Sequence, residues 1–312
     1  MKKILILLPI IFNSTINSIQ TNLSFSPQLI REIIGLKKDP TNFSQHYQIL
    51  VNQLSYLNGQ IPLHAPSKKS IRVMSYNVHR FSNAQRISTE DQIVKLLQKT
   101  NPDILILQEA ENNHPILQRL KKIGFIFNSF AGIDSKINFG NMVLSKLPFK
   151  QVSSHEFSSN NRIKMGRTRS FIKAEFDLSP FKKNNLVIYA THLAIYTQVS
   201  GYNPKNIQPD QEIRLLQVQE LMHMIKQKDA QKNVIIAGDF NDTNKSTASQ
   251  FLLNNGFNDC FSRFSQDHLF TSLYGQRIDF IKTRLKDISL AGCYFYFSAA
   301  SDHLPIIVDI QI

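Results

Sequence analysis

Hydrophobic and polar positions alternate between two periods along most of this chain. From residue 71 onward, short apolar runs with strand character recur at Ile71–Val78, Asp103–Leu107, Phe125–Phe130, Asn141–Ser145, Ser170–Phe176, Leu186–Thr191, Val234–Ala237, Ile278–Ile281, Ser289–Tyr296 and Ile306–Ile310. Asp103-Ile-Leu-Ile-Leu107 is almost continuously apolar, as a strand covered on both faces requires. Helical spacing appears in Ser88–Lys99, with Ile93, Leu96 and Leu97 on one face. It appears again in Gln211–Gln227, with Leu215, Val218, Leu221, Met222 and Ile225. About ten strands with few helices predict two sheets packed face to face with helices outside, a four-layer α/β sandwich.

The first 70 residues follow another pattern. Met1-Lys2-Lys3 and the apolar run Ile4–Phe12, followed by small polar residues, predict a bacterial secretory signal over residues 1–18 and a secreted or periplasmic mature protein. The run is short for a membrane span. Residues 19–70 predict a helical extension and linker. One helix carries Leu29, Ile30, Ile33 and Ile34, another carries Tyr47, Leu50, Val51 and Leu54, and Asn58-Gly59 and Pro62 lie in a connector. The catalytic domain then occupies 71–312.

Composition adds less. The 36 Lys and Arg exceed the 23 Asp and Glu, for a net charge of +13, which favours a polyanionic partner or reflects a lysine-rich solvated surface. Two cysteines, Cys260 and Cys293, exclude a multi-cysteine zinc cluster and leave a single disulfide open. Nothing in the pattern points to a stable protein partner.

Polar residues close many of the apolar runs: Asn77, Glu109, His192, Asp239 with Asn241, Asp279, and Asp302-His303. Any one of them is explained as a turn former or helix cap. Together they place carboxylates, amides and imidazoles at successive strand ends, a set suited to one chemistry. Their local contexts are specific. Ser75-Tyr76-Asn77-Val78, Leu107-Gln108-Glu109, Thr191-His192-Leu193, Gly238-Asp239-Phe240-Asn241, Arg277-Ile278-Asp279-Phe280 and Ser301-Asp302-His303-Leu304-Pro305 resemble, in order, the motifs of the endonuclease/exonuclease/phosphatase superfamily, whose fold is that of deoxyribonuclease I. Gly140–Ser145 resembles a weaker motif, and Arg169 stands where the family often has an arginine.

The resemblance implies the sandwich inferred above and a Mg²⁺ or Mn²⁺ site, with Glu109 as the main ligand and Asn77 and Asp302 completing or flanking it. Asp239 is then the base for the attacking water, and Asn241 orients water or phosphate. His192 and His303 donate to the phosphoryl oxygens, Asp279 holds His303, and Asn141 and Arg169 contact substrate. These roles are metal polarisation, general base catalysis and stabilisation of developing charge.

The substrate class is less defined. The absence of Trp sets the chain apart from inositol polyphosphate 5-phosphatases, and Phe139-Gly140-Asn141 lacks the acidic residue expected of pancreatic-type deoxyribonucleases. A secreted nuclease is favoured by the basic balance and by Arg162, Lys164, Arg167 and Arg169. A sphingomyelinase or phospholipase C acting on anionic lipid headgroups would need an exposed apolar hairpin, for which Ala291–Ala299 is the candidate. A non-catalytic binding protein on this fold is expected to have lost motif residues, and none is missing.

Overall fold

The computed structural model describes residues 69–134, 137–159, 169–195, 208–262, 270–272 and 276–312. The expected signal and the body of the helical extension lie outside these residues. In chain order the elements are β1 (Ser70–Asn77), α1 (Glu90–Thr100), β2 (Ile104–Glu111), α2 (Ile116–Lys122), β3 (Phe127–Asp134), β4 (Ile137–Ser145), β5 (Gln151–Glu156), β6 (Ser170–Phe176), β7 (Leu186–His192), α3 (Gln208–Lys228), β8 (Asn233–Asp239), α4 (Thr247–Asn254), β9 (Asn258–Asp259), β10 (Asp279–Arg284), β11 (Ser289–Phe295) and β12 (Ile306–Gln311). Two six-stranded mixed sheets result, ordered β11-β12-β1-β2-β4-β3 and β5-β6-β7-β8-β10-β9. β1 runs parallel to β2 and β7 parallel to β8, and the other pairs are antiparallel.

The side-chain alternation of strands explains the layers. Val73, Ile104, Ile106 and Val143 of the first sheet share one core with Ile172, Ile188, Ile235 and Ala237 of the second. Their neighbours face outward. Met74, Tyr76, Leu105 and Leu107 pack on Ile93 and Leu97 of α1 and Leu120 of α2. Val187, Tyr189, Val234 and Ile236 pack on Val218, Leu221 and Ile225 of α3 and Leu252 of α4. The four-layer α/β/β/α sandwich read from the sequence is the fold observed.

Differences from the sequence reading have physical causes. Edge strand β5, Gln-Val-Ser-Ser-His-Glu, has no apolar run because its positions alternate between exposed and half-buried. The short helices α2 and α4 give too few turns for a helical period to stand out. The run around Ala291 is not a protruding hairpin: most of it is built into β11, hydrogen-bonded along β12. Cys260 and Cys293 are both buried and unlinked, and the Cys293 thiol donates to the Cys260 carbonyl at 3.2 Å.

The first sheet is pinned across its outer face by one ion pair. Arg72 and Asp309 are directly opposed in the β1–β12 register. The guanidinium meets the carboxylate through Nε–Oδ1 at 2.7 Å and Nη2–Oδ2 at 2.8 Å, and Nη1 donates to Thr100 O at the end of α1. Both residues are buried. Removing one partner strands the other charge in a poorly solvated place, a cost of roughly 3–5 kcal/mol. Asp309→Ala is therefore expected to lower the unfolding free energy by that amount in urea titration. A loss below about 1 kcal/mol would show that Thr100 and water suffice for Arg72.

Candidate active site

The period of two that builds the central core also aims the polar strand ends. Asn77 follows Val73 and Ser75 in parity, His192 follows Ile188 and Ala190, Asp239 follows Ile235 and Ala237, and Asp279 precedes Ile281. All four side chains therefore emerge at the seam between the sheets, and each is almost wholly buried. His303 arrives from the loop before β12, on the first-sheet side.

These residues converge on one carboxylate. Asp239 Oδ2 lies 3.1 Å from Asn77 Nδ2, 3.4 Å from His192 Nε2 and 3.8 Å from His303 Nε2. Its Oδ1 accepts from the backbone N–H of Asn241 at 2.8 Å, which fixes the carboxylate plane. Asn241 adopts a left-handed backbone (φ 49°) and sends its amide to Leu193 O, so the turn after β8 is tied to the turn after β7. His303 Nδ1 is 2.8 Å from Asp279 Oδ2. That contact sets the tautomer: Nδ1 carries a proton toward Asp279 and Nε2 faces Asp239.

Gly238 makes the arrangement possible. It pairs with Thr191 in the parallel β7–β8 register and has φ +146°. A Cβ there would stand 1.8 Å from the Thr191 carbonyl oxygen. Only glycine lets Asp239 sit directly beside His192.

The electrostatics follow from burial. Asp239 is pushed up to about 7, first by desolvation and then by the nearby Asp279 carboxylate, against the opposing pull of His303 and the hydrogen bonds from Asn241 and Asn77. For His303, burial works against the charged form, but Asp279 and Asp239 outweigh it and raise the imidazole well above its ordinary value. The seam thus favours the charged form of His303 beside a carboxylate that keeps its proton up to about 7.

Of the three residues expected to hold a metal, Asn77 is buried at the seam, while Glu109 and Asp302 are half-buried. Glu109 is half-exposed and occupies the bulge where the β2–β4 register slips, with φ 56°. A non-glycine residue held in this region costs of order 1–3 kcal/mol and points to a functional constraint. Its carboxylate has no hydrogen-bond or ion-pair partner among the described residues. Asn77 Oδ1 accepts only from His79 N, at 3.1 Å. Asp302 Oδ1 lies 3.2 Å from Ser301 Oγ and 4.0 Å from His79 Nδ1. This all-oxygen set suits a hard divalent cation. Asp239, Asp279 and His303 also bring ligand atoms within 4.8 Å of one another. There, however, His303 Nδ1 is committed to Asp279, and the grouping is a hydrogen-bonded dyad facing the Asp239 carboxylate.

Asn141 and Arg169 are both buried. Asn141 Nδ2 donates to Ser170 O at 2.8 Å, bridging the sheets, and its Oδ1 has no partner among the described residues. The Arg169 carbonyl accepts from Phe157 N.

Three supporting residues escaped the sequence reading, and a fourth, Ser301, stood in it only as part of a motif. Ser301 Oγ donates to Asn77 O at 2.7 Å and lies 3.2 Å from His303 N, joining the two motifs. Thr271 Oγ1 accepts from Ile278 N and Asp279 N, while Thr271 O accepts from Leu304 N, so one residue holds both members of the dyad. Arg214 bonds Ala194 O and Asp242, and Gln217 accepts from Ala194 N. A signal existed for this last pair: Arg214 and Gln217, three apart, interrupt a helical face otherwise made of Leu and Val. Nothing in the local sequence marks Thr271.

The raised Asp239 value carries a stability consequence. Between about 4 and 7 the unfolded chain releases this proton and the folded chain keeps it, so stability falls as pH rises through that window. Replacing the carboxylate by an isosteric amide removes the penalty. Asp239→Asn is expected to stabilise the metal-free protein by up to about 4 kcal/mol at pH 8 and very little at pH 4, measured as the shift in Tm. Equal shifts at both pH values would contradict the desolvated carboxylate.

Comparison with known proteins places the fold and motifs together. The profile of the Endonuclease/Exonuclease/phosphatase family matches residues 74–303. Protein angel of Drosophila melanogaster is 23% identical over 211 residues, which span 59% of this chain and 56% of that protein, so the match covers little more than half of that relative's length. Among solved structures, an endonuclease/exonuclease/phosphatase from Beutenbergia cavernae DSM 12333 aligns with a TM-score of 0.61 at 18% identity, covering 78% of this chain and 72% of that one. The human Nocturnin catalytic domain with bound sulfate aligns with a TM-score of 0.59 at 17% identity, covering 79% and 96%. With the ordered motifs carried by the strands that the family profile spans, this chain belongs to the endonuclease/exonuclease/phosphatase family.

Proposed function

We propose that the chain is an exported, divalent-metal-dependent phosphodiesterase whose substrate is nucleic acid. The observation that carries this reading is the single buried carboxylate oxygen of Asp239, faced by the Asn77 amide and by the His192 and His303 imidazoles. Such a cluster suits a water molecule on the base and a phosphoryl group against the donors. The sulfate named in the Nocturnin structure has a phosphate's tetrahedral shape and supports an anion-accepting fold.

In this mechanism Asp239 takes a proton from water as its oxygen attacks phosphorus, and the P–O ester bond breaks to leave a phosphomonoester and an alcohol. Asn241 fixes the plane of the base through its backbone N–H. His192 and His303 donate hydrogen bonds to the phosphoryl oxygens as their charge grows, and Asp279 keeps His303 charged and aligned. Asn141 lies buried at the seam, its carbonyl oxygen without a partner among the described residues. Glu109, with Asn77 and Asp302, would hold Mg²⁺ or Mn²⁺, which would polarise the phosphoryl group and offset its negative charge. The Ala291 run, the feature that motivated the lipid reading, is largely strand β11 paired with β12. The surplus of positive charge favours a polyanion.

Two measurements test this. Mature protein incubated with Mg²⁺ is expected to cleave plasmid DNA or RNA and to spare sphingomyelin and small phosphomonoesters. EDTA should abolish turnover, and Asp239→Ala or His303→Ala should each reduce it by a factor of order 10² or more. Lipid turnover with intact nucleic acid, or hydrolysis indifferent to chelation, would overturn the proposal. The pH profile is the second test. Turnover should rise as pH passes through about 7, where Asp239 loses its proton, and not near 4 as for an ordinary carboxylate. A rate flat from pH 5 to 8 would remove Asp239 as base.

A further inference from the structure

The outer flank of the second sheet carries a cavity that the hydrolytic site does not use. It lies between edge strand β5 and the C-terminal half of α3, has a volume of about 470 Å³ and is bordered by Ser153, His155, Lys173, Lys228 and Lys232. Strand register assembles its floor: Ser153 is paired with Lys173, and His155 with Phe171. The imidazole is held in place. It stacks on the Phe171 ring with 5.0 Å between centroids, and its Nε2 lies 2.8 Å from Ser153 Oγ.

The charges do not cancel. Buried Lys173 is bonded to Asp229, and Lys232 bridges Glu175 and Asp229. Two carboxylates thus answer two ammonium groups. Lys228 has no ion-pair or hydrogen-bond partner among the described residues, which leaves one positive charge over. Glu220, the nearest other acid on α3, is bonded to Ser158. The field is felt by His155, held below its ordinary value by burial and then by Lys228 and Lys173, against Glu220. One unmatched positive charge beside a hydroxyl and an imidazole is the complement of a phosphodiester, which carries one negative charge.

Phe171 pairs with Thr191, the residue before His192, so His155 stands two strands from Thr191 in the same row, roughly 10 Å away, on the α3 side of the sheet. His192 faces the other side, so a chain held at the seam reaches the cavity by passing around the second sheet.

We propose that this cavity is a secondary site for a backbone phosphate of a nucleic-acid chain whose scissile bond lies at Asp239. The inference rests on the nucleic-acid reading above, and it makes the enzyme rank long substrates above short ones. The test uses the full chain in EDTA, where binding proceeds without turnover. A fluorescent twelve-nucleotide single strand is titrated by anisotropy against wild type and Lys228→Glu, an exposed substitution. Kd is expected to rise roughly threefold to tenfold in the variant, and the slope of log Kd against log salt to fall by about 0.7 for the lost phosphate contact. With Mg²⁺, hydrolysis of bis(p-nitrophenyl) phosphate should be unchanged. The His155 imidazole resonances should shift when the strand is added. Equal Kd and slope in both proteins would overturn the proposal, leaving the lysines as guards of an edge strand against pairing with other chains. A shift of His155 with inorganic phosphate but not with the strand would also overturn it. If wild type hydrolyses the small diester yet has no affinity for the strand, the nucleic-acid reading fails along with the cavity, while phosphodiester hydrolysis stands.

Discussion

The molecule is organised around the confinement of one carboxylate. Asp239 ends a central strand, is shielded from solvent and has its two oxygens assigned to different tasks. Oδ1 is held by a backbone N–H, while Oδ2 is presented to side-chain donors from both sheets. A buried carboxylate is costly, and here the cost is offset only in part by Asn77, Asn241 and His303. The part left over is what keeps the Asp239 proton up to about 7. In the proposed mechanism the residue that weakens the fold is also the base.

Each further element keeps that carboxylate in its setting. Gly238 lets β8 approach β7 without a Cβ in the way. Arg214 and Gln217 of α3 hold the turn that follows His192. Thr271 and Ser301 hold the two loops that bring Asp279 and His303 together. None of these supporting residues faces the Asp239 oxygen, yet each limits where a group that does so can go. Glu109, like Asn241, is held in a left-handed backbone conformation, and its carboxylate has no partner among the described residues.

How much of this was legible in the sequence depended on what each residue does locally. The buried strands announced themselves because both faces are apolar, as in Ile104–Leu107. The site residues could be read because they terminate those strands within short motifs of definite composition. Strand β5 could not, since an edge strand with one wet face has no apolar run to betray it. Thr271 could not either. Its role comes from hydrogen bonds to residues seven, eight and thirty-three positions away, which no local pattern encodes. The cavity beside His155 exists only through the register of β5 on β6 and the packing of α3.

The site is divided between the two sheets: Asn77 and His303 come from one side, His192, Asp239 and Asp279 from the other. The contacts across this division are therefore set by the thickness of the apolar layer between the sheets. That layer acts as a gauge block. Residues such as Val73, Ile188 and Ile235, whose side chains carry no chemistry, fix the spacing at which an amide on one wall can reach a carboxylate on the other. Evolution of this core is then constrained by tolerance as well as by hydrophobicity, since adding or removing a methylene deep in the layer alters the gap between the two walls of the site.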